Sequence, residues 1–98
     1  MQTEGEVERY EWDDAKAAAN EERHNVPFQL AVMFRWSTAL DTADTRRNYG
    51  EERRIALGRI GDRLHVMVYT KRGETIRVIS LRKANAREEM RYEGGVLR

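Results

Sequence analysis

Arg77, Ser80, Arg82 and Lys83 fall within seven residues of one another, inside the run Thr75-Ile76-Arg77-Val78-Ile79-Ser80-Leu81-Arg82-Lys83. The guanidinium of arginine donates to two phosphate oxygens at once and stays protonated at any relevant pH. Arg77, Arg82 and the upstream Arg53 are therefore the candidates for stabilising charge on a phosphate group, with Lys83 as an added cation or proton donor. The alternation of the run predicts a strand with a polyanion-facing side; an ordinary solvated sheet face decorated with arginine and lysine is the competing reading. On a regular strand Arg77 and Arg82, five apart, point to opposite faces. Both reach one ligand only if the strand ends or bulges near Ser80, so Ser80 and Arg82 form the more natural pair.

Proton transfer needs a different residue type. His24 is the one group outside the expected strands whose unperturbed pKa lies near neutrality. As the last residue of an expected helix it sits where an imidazolium is favoured, by about 0.3–1 kcal/mol at an exposed end; capping that helix is its other reading. Glu51 reads as a base beside Arg53 or as a solvated loop carboxylate, and His65, inside a strand, reads as structural. Substrate contacts are assigned to Ser80, to Arg72 in the preceding hairpin, and to Tyr92, which either stacks on a base or packs on the sheet. No metal site or cofactor is expected. There is no cysteine, the two histidines lie far apart, and the acidic pairs Asp13-Asp14, Glu51-Glu52 and Glu88-Glu89 are adjacent residues that point apart.

With 98 residues, 40% apolar and 36% charged, the chain predicts a single domain with a small core and a tail at residues 1–6. The absence of cysteine fits a reducing cytosol. No stretch is long and apolar enough to span a membrane, and the acidic opening is unlike a signal peptide, so a cytoplasmic protein is expected. A net charge of +1 conceals a division: residues 1–45 carry 4 Lys+Arg and 10 Asp+Glu, and residues 46–98 carry 14 and 7. The basic second half is a candidate nucleic-acid surface, unless packing interleaves it with the acidic first half.

These residues need elements to hold them. Val7 to Trp12 alternates as a short strand, Asp13 or Asp14 caps a helix over Ala15 to His24, and Asn25 ends it. Pro27 opens a second helix running to Arg35 or Trp36. An edge strand near Thr38 to Asp41 and a loop follow. Strands at Arg53 to Arg59, Leu64 to Thr70 and Thr75 to Leu81 then form a meander joined by glycine-containing turns. Asn85 caps a last helix over Ala86 to Tyr92, with Glu88 as its capping-box partner and Gly94-Gly95 as its stop. The expected fold class is α+β: an antiparallel sheet of about four strands with two N-terminal helices and a C-terminal helix on one face.

Tyr10-Glu11-Trp12-Asp13 with Lys16 and Asn20, then Arg23-His24-Asn25, Tyr49-Gly50-Glu51-Glu52-Arg53, Ala56-Leu57-Gly58 and the hairpin strands occur in that order. Together they resemble the BrnT toxins of bacterial type II toxin–antitoxin systems, over about residues 8 to 92. The resemblance implies a RelE-like fold, a ribonuclease that halts translation, and neutralisation by a BrnA-like antitoxin that carries the DNA-binding domain. Arg23-His24-Asn25 stands where Lys-His-Gly is usual, a change that keeps the charge and the helix stop. Metal-free RNA cleavage needs activation of the 2′-hydroxyl, stabilisation of the phosphorane and a proton for the leaving oxygen. Arg53, Arg77, Arg82, Lys83, His24 and Glu51 are the residues available for these tasks. A non-catalytic module that docks an acidic protein segment or nucleic acid on the same basic strand is the alternative function.

Overall fold

The computed structural model describes residues 9–97, with side chains through Gly95. The elements are β1 (Arg9–Glu11), α1 (Asp14–His24), two 3₁₀ segments (Phe28–Met33 and Trp36–Thr38), β2 (Leu40–Ala43), β3 (Arg54–Ile60), β4 (Arg63–Arg72), β5 (Thr75–Lys83) and α2 (Ala86–Leu97). The expected tail and the first residues of the expected first strand, Val7 and Glu8, lie outside the described residues.

The fold is α+β, but the sheet has five strands, in the order β1-β5-β4-β3-β2, rather than about four. It is also mixed. Strands β2 to β5 form the expected antiparallel meander, with Gly61 and Gly73 at positive φ in its two tight turns. β1 instead runs parallel to β5, Arg9 opposite Thr75 and Glu11 opposite Arg77.

α1 forms as its caps predict. The Asp13 carboxylate accepts from the Lys16 N–H at 3.0 Å, and Asn25 closes the helix at φ 60. The expected second α-helix is a 3₁₀ segment. Phe28, Ala31 and Phe34 are all buried, and a spacing of three places them on one side of a three-residue turn. Its bonds have that span, Leu30 N–H to Pro27 C=O at 3.1 Å and Phe34 N–H to Ala31 C=O at 3.0 Å.

Helical segments cover both faces of the sheet, not one. Alternation along the strands sends Ala56, Met67, Tyr69, Ile76 and Val78 to a core with Val26, Phe28, Ala31 and Phe34. Leu57, Leu64 and Val66 point the other way and form a smaller core with Ala84 and Tyr92 of the α2 region. Trp12 and Trp36 pack against the first core, Trp36 edge-on to Phe34 at 4.7 Å and to Tyr69 at 5.2 Å. The Phe34 ring lies against Gly58 so closely that a Cβ there would stand 2.4 Å from its Cζ.

Gly94 and Gly95 do not stop α2, which continues to Leu97. Gly95 sits against Leu40, where a Cβ would meet Cδ1 at 2.8 Å, so the glycine is a contact between helix and β2 rather than a terminator. No helix among the described residues is long and apolar enough to cross a membrane.

Candidate active site

The site begins with an extra residue in β5. Val68 of β4 is opposite Ser80 and Tyr69 is opposite Val78, which leaves Ile79 without a partner as a bulge. Ile76, Val78 and Leu81 consequently all enter the same core, although 78 and 81 differ by an odd number. Arg77, Ser80 and Arg82 therefore share the opposite face, the one that α2 partly covers, across from Thr70, Val68 and Val66. The condition set by the five-residue spacing is met by the bulge. Lys83 falls outside this group: it pairs with His65 and projects with it to the α1 face.

The candidate arginines on this face, Arg53, Arg72, Arg77 and Arg82, are each tethered to a carboxylate. Arg77 Nη1 lies 3.1 Å from Glu11 Oε2, an approach made by the parallel register of β1. Arg72 stands between Glu11 at 4.0 Å and Glu51 at 3.6 Å, and Glu51 is also 3.6 Å from Arg53 Nε. The Arg53 guanidinium lies over the Tyr49 ring at 4.1 Å, with its Nε buried and not hydrogen-bonded. Arg53, Glu51, Arg72, Glu11 and Arg77 thus form one continuous chain of ion pairs. Beside it a pocket of about 240 Å³ is lined by Glu51, Glu52, Arg54, Thr70 and Lys71.

At the other end of the strand Arg82 is held differently, by two short bonds to Glu88 of α2: Nη1 to Oε1 at 3.0 Å and Nη2 to Oε2 at 2.7 Å. This contact raises the Arg82 pKa and lowers that of Glu88. His24 comes into electrostatic range of Arg82 from the end of α1. Asn20 accounts for the approach. Its buried side chain donates to Leu81 C=O at 2.8 Å and Val26 C=O at 3.1 Å, and accepts from Leu81 N–H at 3.2 Å. It thereby occupies the edge of β5 beyond the three residues that β1 pairs, and fixes the end of α1 beside Arg82. Arg46, clamped by the buried Asp44 carboxylate at 2.7 and 2.8 Å, also reaches electrostatic range of Arg82.

The His24 pKa is lowered, not raised as its place at a helix end suggests. Desolvation is the main cause, followed by the charges of Arg23 and Arg82. His65 is buried, with Nδ1 2.9 Å from Arg63 C=O, and its pKa is lowered chiefly by desolvation. Tyr92 occupies a core position. Its hydroxyl donates to Thr38 C=O at 3.1 Å, and the Arg59 guanidinium lies 5.3 Å from its ring centroid.

Sequence reasoning brought the arginines, Ser80, His24 and Glu51 to notice, but not Glu11, Asn20 or Tyr49 as parts of the site, and it gave Glu88 only a capping role. A larger, mainly apolar groove of about 830 Å³ lies between β2 and α2, lined by residues including Leu40, Ile55, Leu57 and Met90. It contains none of the candidate arginines. Among the described residues no three His, Cys, Asp or Glu side chains cluster as metal ligands do.

No curated protein matches the chain. A family model does, over residues 12–88: it describes the ribonuclease toxin BrnT of type II toxin–antitoxin systems. That span includes every arginine, carboxylate and histidine of the site except Glu11, which immediately precedes it, and the chain belongs to the BrnT family of ribonuclease toxins.

Proposed function

We propose that this chain is an endoribonuclease toxin that cleaves RNA without a metal, inhibits translation in the cytoplasm and is neutralised by a BrnA-like antitoxin. The observation that carries the reading is the bulge at Ile79, which aligns Arg77, Ser80 and Arg82 on one face while Asn20 brings His24 alongside. Family membership adds the ribonuclease activity and the existence of an antitoxin partner. A RelE-like fold within one domain is part of the same proposal.

In this reading Arg53, Arg72 and Arg77 bind the phosphates of the strand, and Ser80 contacts the substrate between them and Arg82. Arg82 donates to the phosphorane, where negative charge grows in the transition state. A base takes the 2′-hydroxyl proton, the oxygen attacks phosphorus, and the 5′-oxygen leaves with a proton from an acid. The lowered pKa of His24 favours its neutral form near pH 7 and suits it to the base role, with Glu51 as the competing base. The antitoxin restrains the toxin by presenting acidic groups to Arg77 and Arg82 in place of phosphate.

The test is cleavage of total RNA by purified protein in EDTA, with a folded Arg82→Ala variant alongside. Cleavage by the wild type, cut to a residual rate in Arg82→Ala, supports a metal-independent ribonuclease with Arg82 in its site. Intact RNA in both overturns that reading in favour of a binding module or a ribosome-dependent activity.

A further inference from the structure

We propose that Glu88 is a positioning residue: it fixes the Arg82 guanidinium for phosphate contact and ties that orientation to the first turn of α2. The inference rests on the ribonuclease reading above. A capping box needs little of its glutamate, because one carboxylate oxygen suffices to accept the N-cap N–H. Here Oε1 accepts from Asn85 N–H at 2.9 Å while Asn85 Oδ1 accepts from Glu88 N–H at 2.8 Å, which completes the box. The same carboxylate also meets Arg82 with both oxygens, at 3.0 and 2.7 Å, in the fork-to-fork arrangement that restricts a guanidinium most tightly.

The other arginines of the face differ. Arg53 and Arg72 are held at 3.6 to 4.0 Å, and Arg77 through one nitrogen at 3.1 Å. Arg82 Nη1 additionally donates to Lys83 C=O at 3.3 Å, so three of the five guanidinium N–H bonds are committed and two remain for a ligand. The Glu88 side chain is 17% exposed and that of Arg82 is 34% exposed, so the clamp is the more buried partner and the cation faces outward. This is the arrangement expected of a carboxylate acting through an arginine rather than on the substrate itself.

Glu88→Gln separates the two roles, since glutamine also serves in a capping box but gives the guanidinium only one neutral acceptor. Single-turnover cleavage at saturating RNA falls about tenfold in Glu88→Gln and about a hundredfold in Glu88→Ala, the scale on which loss of reacting geometry acts. Affinity for a 2′-O-methyl RNA that cannot be cleaved stays unchanged or rises in Glu88→Gln. In an Arg82→Ala background, adding Glu88→Gln leaves the residual rate unchanged, a non-additivity that a merely structural role does not produce. Wild-type rates in Glu88→Gln, with Arg82→Ala cut to its residual rate, overturn the positioning role alone; equal further losses in both backgrounds do the same. Absence of cleavage by the wild type overturns the ribonuclease reading and this inference with it.

Discussion

Arg77 and Arg82 share a face of β5 because Ile79, between them, has no partner on β4. The bulge makes two cations of opposite sequence parity into one surface, and their carboxylate partners come from opposite ends of the chain, Glu11 for Arg77 and Glu88 for Arg82.

Deleting Ile79 removes the unpaired residue and leaves the pairs Val68–Ser80 and Tyr69–Val78 able to form, so the deletion variant is expected to fold cooperatively and to retain measurable cleavage. Inserting one alanine after Ser80 turns Arg82 toward the α1 face and is expected to abolish cleavage. Circular dichroism melts and the RNA assay on both variants check this; an active insertion variant contradicts the shared-face account.

Gly58→Ala tests the closest contact between a 3₁₀ segment and the sheet. A Cβ at 58 meets the Phe34 ring at 2.4 to 3.0 Å in the core, and the ring must shift to admit it. A loss of about 1–3 kcal/mol in urea unfolding is expected, as for other overpacked cores. Phe34→Leu in the same chain should recover part of that loss, and a neutral Gly58→Ala would show that the ring moves freely.

The meander was legible because Gly61 and Gly73 sit at the turns between strongly alternating runs, and α1 because Asp13 and Asn25 mark its ends. The parallel place of β1 was not, since it joins residues 66 apart and nothing local in Arg9–Glu11 names its partner. The 3₁₀ segment was misread as an α-helix because Phe28, Ala31 and Phe34 satisfy one side of either helix; exposed Val32 and Met33 reveal the tighter turn only once burial is known. In the site, arginine and histidine are visible by type. The carboxylates that aim them become functional only through tertiary contact, and Glu88 already had a sufficient local explanation as a cap.

Asn20→Ala removes three hydrogen bonds at a buried position and leaves Leu81 N–H, Leu81 C=O and Val26 C=O without that partner. Roughly 2–4 kcal/mol of stability should be lost, on the scale of unsatisfied buried polar groups. Because the same side chain fixes the end of α1 beside Arg82, cleavage by the fraction that remains folded should fall as well. Asn20→Asp keeps the Leu81 N–H acceptor but places a carboxylate oxygen against carbonyls, and is expected to be no better than alanine. Denaturant unfolding with activity measured per folded molecule checks both effects; an unchanged specific rate would separate Asn20 from the site.

His24 provides a prediction with a definite sign. Its folded pKa lies below the ordinary 6.5, through desolvation first and then Arg23 and Arg82, so the folded protein releases this proton more readily than the unfolded chain. The associated stability is complete above pH 6.5 and is lost as pH falls through the folded value. If neutral His24 is the base, single-turnover cleavage rises with pH up to that lowered pKa and is level from there through neutrality. Arg82→Lys keeps a cation at 82 and should leave this limb below 6.5, whereas Glu88→Gln releases more of the Arg82 charge toward His24 and should move it lower still. His24→Gln should remove the limb together with most of the rate. An acidic limb that persists in His24→Gln, at an undiminished rate, assigns the proton to another group, with the Glu51 carboxylate between Arg53 and Arg72 the next to replace.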